Sequence, residues 1–270
     1  AHNNLGNIFK ELGEHQKAIG CYEQAIAIDP NYVKALNNLG VVFQELSDLQ
    51  KTKECYEKVI EIKPNYAEAH YNLGVIFKEL DENQKAKSCY EKAIKINPNY
   101  TNAYFNLGAI FQELSDLQKA KECYEKVIEI DPNYRDAHYN LGIVFKELGE
   151  HQKAKDCYEE AIEIDPNYVD AHNNLGVLFK DLGEHQQAKS CFEKAIEIDP
   201  NHANAYNNLG IIFQKLGEDQ QAKSCFEKAI EIKPNYAPAH NNLGAIFQRL
   251  AEYQKAKDCY VKAIELNPNY

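Results

Sequence analysis

A unit of 34 residues returns eight times along the 270 residues of this chain. A segment this short cannot enclose its own apolar side chains, so consecutive copies must stack and share one core. The sequence therefore predicts a single tandem array. Its repeats are residues 1–32, 33–66, 67–100, 101–134, 135–168, 169–202, 203–236 and 237–270.

Apolar side chains recur at helical spacing within the copy at residues 33–66. Leu39 and Phe43 lie four residues apart on a first helix, and Tyr56 and Val59 lie three residues apart on a second helix. Pro64 ends the second helix, because proline cannot continue it. An acidic residue begins the second helix of every copy, where it interacts favourably with the positive end of the helix dipole. These residues are Glu14, Asp48, Glu82, Asp116, Glu150, Glu184, Glu218 and Glu252.

A glycine stands in the middle of every first helix, where it costs about 1 kcal/mol relative to alanine. We expect that the paired helix approaches too closely for a side chain, opposite Ala25, Ala93 and their equivalents. The helical setting and the lack of a G-x-G or GK[ST] pattern argue against a phosphate-binding role. The glycines are Gly6, Gly40, Gly74, Gly108, Gly142, Gly176, Gly210 and Gly244.

The eight cysteines also occur once per repeat, in one register. Equivalent positions of stacked helices lie about 10 Å apart, whereas a disulfide needs Cα atoms within about 7 Å. We therefore expect reduced thiols that serve as small apolar residues, and a cytoplasmic, reducing location. The cysteines are Cys21, Cys55, Cys89, Cys123, Cys157, Cys191, Cys225 and Cys259.

The residues Leu39, Gly40, Phe43, Tyr56 and Pro64 resemble the signature of the tetratricopeptide repeat, and the match covers the whole chain. The resemblance implies an all-α fold, a right-handed α-solenoid superhelix of eight helix-turn-helix tetratricopeptide repeats. It also implies that the first helices line a concave groove, which is where function should be sought.

An asparagine stands two residues before every repeat glycine, while the residue just before that asparagine varies from repeat to repeat. An amide offers both donor and acceptor, the complement of a peptide group, so a row of amides can hold an extended backbone without reading its side chains. The row resembles the one in the superhelical arm of O-linked N-acetylglucosamine transferase and in armadillo-type nuclear import adaptors. The alternative is that each amide bonds a carbonyl of the adjacent helix. This asparagine row comprises Asn4, Asn38, Asn72, Asn106, Asn140, Asn174, Asn208 and Asn242.

Three successive repeats carry an aromatic side chain in the variable position, namely Tyr71, Phe105 and Tyr139. Amphipathic aromatics are typical anchors at interfaces, so they predict an apolar strip that contacts a bound segment selectively. Packing against the next helix is the alternative. The predicted peptide-binding residues are therefore Asn38, Asn72, Asn106, Asn140, Asn174, Asn208, Asn242, Tyr71, Phe105 and Tyr139.

Charge excludes several classes of partner. The chain has 41 acidic and 30 basic residues, a net charge of −11, and Arg135 and Arg249 are its only arginines, which argues against nucleic acids.

No apolar run is long enough for a membrane span. Five residues after the glycine, six repeats carry an acid and the last two carry Lys215 and Arg249, so the first six should favour basic or neutral segments. No pattern of catalytic residues, metal ligands or cofactor-binding residues is present.

The sequence thus predicts a protein–protein interaction scaffold, not an enzyme, that binds an extended peptide or a disordered partner segment in its groove. Two alternatives stay open. The chain could be the substrate-recognition arm of a larger transferase, or an engineered array without a natural ligand, which the absence of methionine fits. The end repeats should expose apolar surface, which predicts head-to-tail self-association.

Overall fold

The computed structural model describes residues 1–269, which form sixteen α-helices and no strand. Tyr270, the last residue of the predicted eighth repeat, lies outside the described residues. The helices follow one another as pairs joined by tight turns, which confirms the predicted all-α fold of helix-turn-helix repeats. They fall into two compact units, Ala1–Pro132 and Asn133–Tyr270, called here the N-terminal unit and the C-terminal unit.

The N-terminal unit contains four helix pairs. In it each first helix packs on the second helix of its own repeat, and the second helices of the first three repeats also pack on the first helix of the next repeat. The first helices α1 and α3 also touch directly. The helices are α1 His2–Glu11, α2 His15–Ile28, α3 Val33–Glu45, α4 Leu49–Ile62, α5 Ala67–Glu79, α6 Asn83–Ile96, α7 Thr101–Glu113 and α8 Leu117–Ile130.

The C-terminal unit repeats this arrangement, and its first helices α11, α13 and α15 lie side by side. Its helices are α9 Arg135–Glu147, α10 His151–Ile164, α11 Val169–Asp181, α12 His185–Ile198, α13 Ala203–Lys215, α14 Asp219–Ile232, α15 Ala237–Arg249 and α16 Tyr253–Leu266. No helix within residues 1–269 is long and apolar enough to cross a membrane.

Each second helix has the predicted acidic residue as its N-cap. The Asp48 carboxylate accepts a hydrogen bond from the Lys51 backbone N–H at 3.2 Å, which lowers the pKa of Asp48 together with the bond from the Lys51 ammonium. The residue before this cap lies in the left-handed region of φ, as at Gly13 with 71° and at Ala251 with 59°. The turn between the two helices of a repeat therefore favours glycine, yet half of the repeats place another residue there.

The mid-helix glycines have a different cause from the one predicted. A Cβ atom at Gly74 would lie 2.6 Å from Cε1 of Tyr90, a ring that is only 1% exposed. The same relation holds in every repeat, with a Tyr or Phe of the second helix as the obstacle. The prediction that Ala25 and Ala93 face the glycines is therefore wrong, because an aromatic ring reaches across the helix pair and fills that space.

All eight cysteines lie within the described residues, and none of them forms a disulfide. Cys55 packs in a core cluster with Leu39 and Phe43. Burial raises the pKa of the Cys55 thiol to about 12 and that of Cys191 to about 11. These side chains therefore behave as small apolar residues at neutral pH, as expected.

The first repeat exposes side chains that the interior repeats bury. Leu5 is 47% exposed and Ile8 is 58% exposed, whereas their equivalents Leu39 and Val42 are 6% and 0% exposed. Stacking on the preceding repeat accounts for the difference, since Leu39 and Val42 pack in one cluster with Ala18 and Tyr22 of the first repeat. Head-to-tail association of chains stays a prediction.

Candidate functional site

The first helices of each unit share one surface, called here the first-helix face. It is made by side chains three and two residues before each repeat glycine and one, four and five residues after it. A cleft of 260 Å³ in the C-terminal unit brings these positions together, with Ile143, Lys146 and Glu147 of one repeat beside Asn174 of the next. Within the C-terminal unit, the predicted binding residue Asn174 therefore lies beside the first helix of the preceding repeat.

The amides of the asparagine row bond to the preceding repeat. Five of them donate a hydrogen bond from Nδ2 to the side chain 35 residues earlier. The pairs are Asn38 to Asn3 Oδ1 at 3.1 Å, Asn106 to the Tyr71 hydroxyl at 3.3 Å, Asn174 to the Tyr139 hydroxyl at 2.9 Å, Asn208 to Asn173 Oδ1 at 3.1 Å and Asn242 to Asn207 Oδ1 at 2.9 Å.

This geometry differs from the alternative considered for the sequence, because the acceptors are side chains and not helix carbonyls. This geometry leaves some N–H donors and oxygen lone pairs of the asparagine row unused. A carboxamide has two N–H donors and an oxygen with two lone pairs. At Asn208 and Asn242 the bond to the preceding repeat uses one donor. Asn38 also donates to Asn7 Oδ1 at 2.9 Å, Asn106 also donates to the Tyr90 hydroxyl at 3.5 Å, and the Asn174 oxygen accepts from Asn173 Nδ2 at 3.3 Å. The asparagines from Asn38 to Asn242 are half-buried, so one edge of each faces solvent.

The other three members of the row depart from this pattern. Asn4, in the first repeat, accepts a hydrogen bond from Asn3 Nδ2 at 3.5 Å. The Asn72 amide is hydrogen-bonded to the Tyr56 hydroxyl of the preceding repeat. The Asn140 amide makes no hydrogen bond within residues 133–269. Spacing of the asparagines alone did not reveal the inter-repeat bonds. A signal was nevertheless present, because the position 35 residues before each member of the row is Asn or Tyr everywhere except at Phe105.

The predicted aromatic residues pack within their own units. In the N-terminal unit, the Tyr71 ring stacks on Tyr100 with a centroid distance of 5.0 Å, and the Phe105 ring lies 5.7 Å from Tyr124. Tyr100 is the N-cap of the next first helix, so this is the packing alternative named for the sequence. Burial raises the pKa of the Tyr71 hydroxyl.

In the C-terminal unit, Tyr139 has similar neighbours. Its ring lies 5.0 Å from that of Tyr168 and 6.1 Å from that of Tyr158. Burial raises the pKa of the Tyr139 hydroxyl to about 12. Tyr71, Phe105 and Tyr139 are all half-buried, so each keeps part of its ring exposed on the first-helix face.

The two units carry opposite charge at the positions four and five residues after the glycine. In the N-terminal unit these positions hold two lysines against four glutamates, which gives 2 − 4 = −2. In the C-terminal unit they hold three lysines and one arginine against one glutamate and one aspartate, which gives 4 − 2 = +2. The first-helix faces of the two units therefore present different electrostatic environments.

Outside this face, residues 1–269 contain no group of His, Cys, Asp and Glu side chains placed to hold a metal ion. A cleft of 640 Å³ in the N-terminal unit lies among Ile60, Pro64, His70 and Lys95. The His70 ring is bonded through Nε2 to the Pro64 carbonyl at 2.8 Å, as are His172 and His240 to the equivalent carbonyls. That bond is a structural feature common to several repeats.

Family comparisons agree with the repeat structure. A model described as tetratricopeptide repeat matches residues 33–66, 67–100, 101–134, 136–168 and 237–270, and another with the same description matches residues 168–235. The chain belongs to the tetratricopeptide repeat (TPR) family. A model described as TPR repeat also matches residues 6–47. No curated protein matches this TPR chain.

Solved structures similar to this TPR chain include MamA, which is 29% identical over 60% of this chain and 94% of its own, with a TM-score of 0.56. YrrB, described as a TPR protein with an unusual peptide-binding site, is 26% identical over 69% of this chain and 96% of its own, with a TM-score of 0.59. A chain of the APC/C hetero-tetramer Cut9-Hcn1 matches at 16% identity and a TM-score of 0.67, covering 95% of this chain and 50% of that one, which shows the fold alone. Similarity to the transferase arm stays a prediction.

Proposed function

We propose that the first-helix face of each unit binds an extended segment of a partner protein, and that the asparagine row holds the main chain of that segment. The observation that carries this proposal is the orientation of the amides. Bonds to the preceding repeat fix them. Asn208 and Asn242 keep one N–H and the carbonyl oxygen for a peptide group, and Asn106 keeps its carbonyl oxygen. The proposed role is binding and not catalysis.

The comparison with YrrB supports a peptide as the ligand, since that TPR protein of similar fold is described as having a peptide-binding site. An extended backbone offers alternating N–H and C=O groups, and a surface with one amide per repeat complements this pattern. Such recognition is tolerant of sequence, because it reads the main chain.

The strength of the interaction follows from the number of amides. The N-terminal unit contributes four, and at a net of about 0.5–1.5 kcal/mol each they give about 2–6 kcal/mol. Ordering a flexible segment costs about 2–5 kcal/mol. The asparagine row alone therefore gives weak binding, and selectivity must come from other side chains.

The half-buried aromatics supply that selectivity in this proposal. Tyr71 and Phe105 lie on the face of the N-terminal unit beside Val75 and Ala109, which are also half-buried. Because their rings are held by packing, they lose little conformational entropy when a ligand docks. Tyr139 has the same role in the C-terminal unit.

A library of displayed dodecapeptides tests the proposal. Peptides selected on the wild-type chain are titrated against the double variant Asn72→Ala/Asn106→Ala by calorimetry. Two lost hydrogen bonds should weaken binding by about 30-fold. Asn99→Ala is the matched control, because Asn99 is exposed in the loop between α6 and α7, and it should bind like the wild type.

The amides also connect repeats, so the unfolding of each variant is followed at the same time, and binding is measured well below the lowest unfolding temperature. Selected peptides that bind the folded double variant as tightly as the wild type contradict the proposal. In that event the asparagine row serves only to join the repeats.

A further inference from the structure

A single carboxylate lies between two ammonium groups on the first-helix face of the C-terminal unit. Lys146 Nζ is 3.1 Å from Asp181 Oδ2, and Lys180 Nζ is 3.8 Å from Asp181 Oδ1. The Lys180 side chain is only 20% exposed. Because one negative charge is shared by two positive ones, this part of the face keeps an excess of positive charge.

Lys215 adds to this excess. It stands five residues after its glycine, where six repeats carry an acid, and it makes no ion pair or hydrogen bond within the described residues. Burial lowers the pKa of Lys180, whereas the Asp181 carboxylate raises it. The positive charges of Lys146 and Lys215 lower it further. Lys215 is therefore close enough to Lys180 to influence it.

His185 stands at a position that forms an ion pair in two other repeats but has no such pair here. In the N-terminal unit, His15 Nδ1 lies 3.4 Å from Glu45 Oε2, and in the C-terminal unit Asp219 pairs with Arg249 at 3.1 Å. Both pairs join residues 30 apart. The equivalent residues His185 and Lys215 carry no opposite charges and form no ion pair within the described residues. His185 Nδ1 is buried without a hydrogen-bond partner, as are His15 Nδ1 and Asp219 Oδ1.

The N-terminal unit shows the contrasting arrangement. There the Lys78 ammonium donates to Glu113 and to Asn83 Oδ1, so its charge is compensated by its own unit. Glu45 and Glu79 leave an excess of negative charge on that face. Excess positive charge on a first-helix face is therefore specific to the C-terminal unit.

We infer that the first-helix face of the C-terminal unit binds an acidic stretch of the partner segment, with its carboxylate or phosphate groups on Lys146, Lys180 and Lys215. This inference rests on the proposed function. A protein segment fits better than a nucleic acid, because Glu147 and Asp181 interrupt the lysines and the net charge of the chain is −11. An extended acidic peptide can place its anions at separate points and leave its backbone to the asparagine row.

The chain itself provides substitutions that the repeat fold tolerates. Lys215→Glu introduces the residue present at the equivalent position of five other repeats, and Lys180→Gln introduces the residue present at the equivalent position of four. Lys257→Glu is the control for net charge, because Lys257 is exposed on the second helix α16 and makes no ion pair within the described residues.

The probes are labelled dodecapeptides of alternating Glu and Ser, of alternating Gln and Ser, and of phosphoserine and Gly, with binding followed by fluorescence anisotropy. The two acidic peptides should bind the wild type more tightly than the Gln peptide, and added salt should weaken them. Lys215→Glu should weaken their binding by about tenfold and leave the Gln peptide unchanged. Lys257→Glu should bind all three peptides like the wild type. A preference for phosphoserine over Glu, or the reverse, identifies the source of the anion.

Failure of this inference is distinguishable from failure of the proposed function. If Asn174→Ala/Asn208→Ala weakens all three peptides but Lys215→Glu and Lys180→Gln change none, the acidic selectivity is wrong and the peptide-binding face remains. If the asparagine variants bind like the wild type, the proposed role of the row fails. A single-stranded RNA dodecamer that binds more tightly than both acidic peptides overturns the assignment to a protein segment.

Discussion

Replacing the mid-helix glycine Gly74 by alanine tests the packing of the helix pair. Alanine is favoured over glycine inside a helix by about 1 kcal/mol. At Gly74, however, the new methyl group would lie 2.6 Å from Cε1 and 2.8 Å from Cδ1 of Tyr90. Ordinary carbon contacts are about 3.5–4.0 Å, so the overlap is about 1 Å. Overpacking of a core costs about 1–3 kcal/mol, so after the helix gain of about 1 kcal/mol the net loss of unfolding free energy should be about 0–2 kcal/mol.

Gly20 offers the matched comparison, because it lies inside α2 and a Cβ atom there would meet nothing within 4 Å. Gly20→Ala should therefore raise the free energy of unfolding by about 1 kcal/mol. Urea unfolding followed by far-UV circular dichroism measures both changes. Hydrogen exchange of the α5 and α6 amides shows whether the loss at Gly74 is local, since repeats can open separately.

A third variant identifies the ring as the obstacle. Tyr90→Leu removes the atoms that the methyl group would meet, so Gly74→Ala should recover the helix gain in that background. The two substitutions should then show a coupling energy equal to the overpacking cost, about 1–3 kcal/mol. Strict additivity, or a Gly74→Ala variant as stable as Gly20→Ala, would refute the account of these glycines.

Three further predictions concern the turn, the thiols and one ion pair. Ala251→Gly should raise the free energy of unfolding by about 0.5–1 kcal/mol in urea denaturation, because Ala251 occupies a left-handed turn position with a φ of 59°. Cys259 should be alkylated before Cys55 at pH 8 in a time course followed by mass spectrometry. Cys55 is buried and its thiol pKa is raised to about 12, so little of it is thiolate and the reagent reaches it rarely. The bond from Arg135 lowers the pKa of the Asp165 carboxyl, so the pKa of Asp165 measured by NMR should lie below the usual Asp value. The contribution of this pair to stability should be fully present above the usual Asp pKa and should be lost as the pH falls through the lowered pKa of Asp165.

Equivalent positions supply the controls. Gly149 has a φ of 76° in the same turn, so Gly149→Ala should destabilise the chain by a similar amount. Equal alkylation rates for all cysteines in the folded chain would contradict the burial argument. Replacing Arg135 by Gln should return the pKa of Asp165 towards its usual value, and an unchanged titration would show that another group lowers it.

The helix pairs could be predicted from the sequence because their signals are local. The spacing of Leu39 and Phe43, the acid at Asp48 and the proline at Pro64 fix the helices and their ends. The residue facing Gly74 could not be predicted, since the reach of the Tyr90 ring depends on how two helices cross.

The asparagine row could be found by counting, but its hydrogen bonds could not. They depend on the stagger of neighbouring first helices, which places five of the amides, such as Asn174 and Asn242, beside a side chain 35 residues earlier and not 34. The shared carboxylate of Asp181 is similar, because its two lysines come from different repeats. Charges on separate helices combine only after the helices are positioned.

The hydrogen bonds between repeats have a mechanical consequence. The hydrogen that Asn174 gives to Tyr139 cannot be given to a second acceptor at the same strength. A ligand that competes for it would loosen the joint between two repeats, whereas one that uses only the remaining N–H and the oxygen would stiffen it. Compliance of the array under load would then differ between its empty and occupied forms, and a single-molecule stretching trace could report occupancy without any label on the ligand.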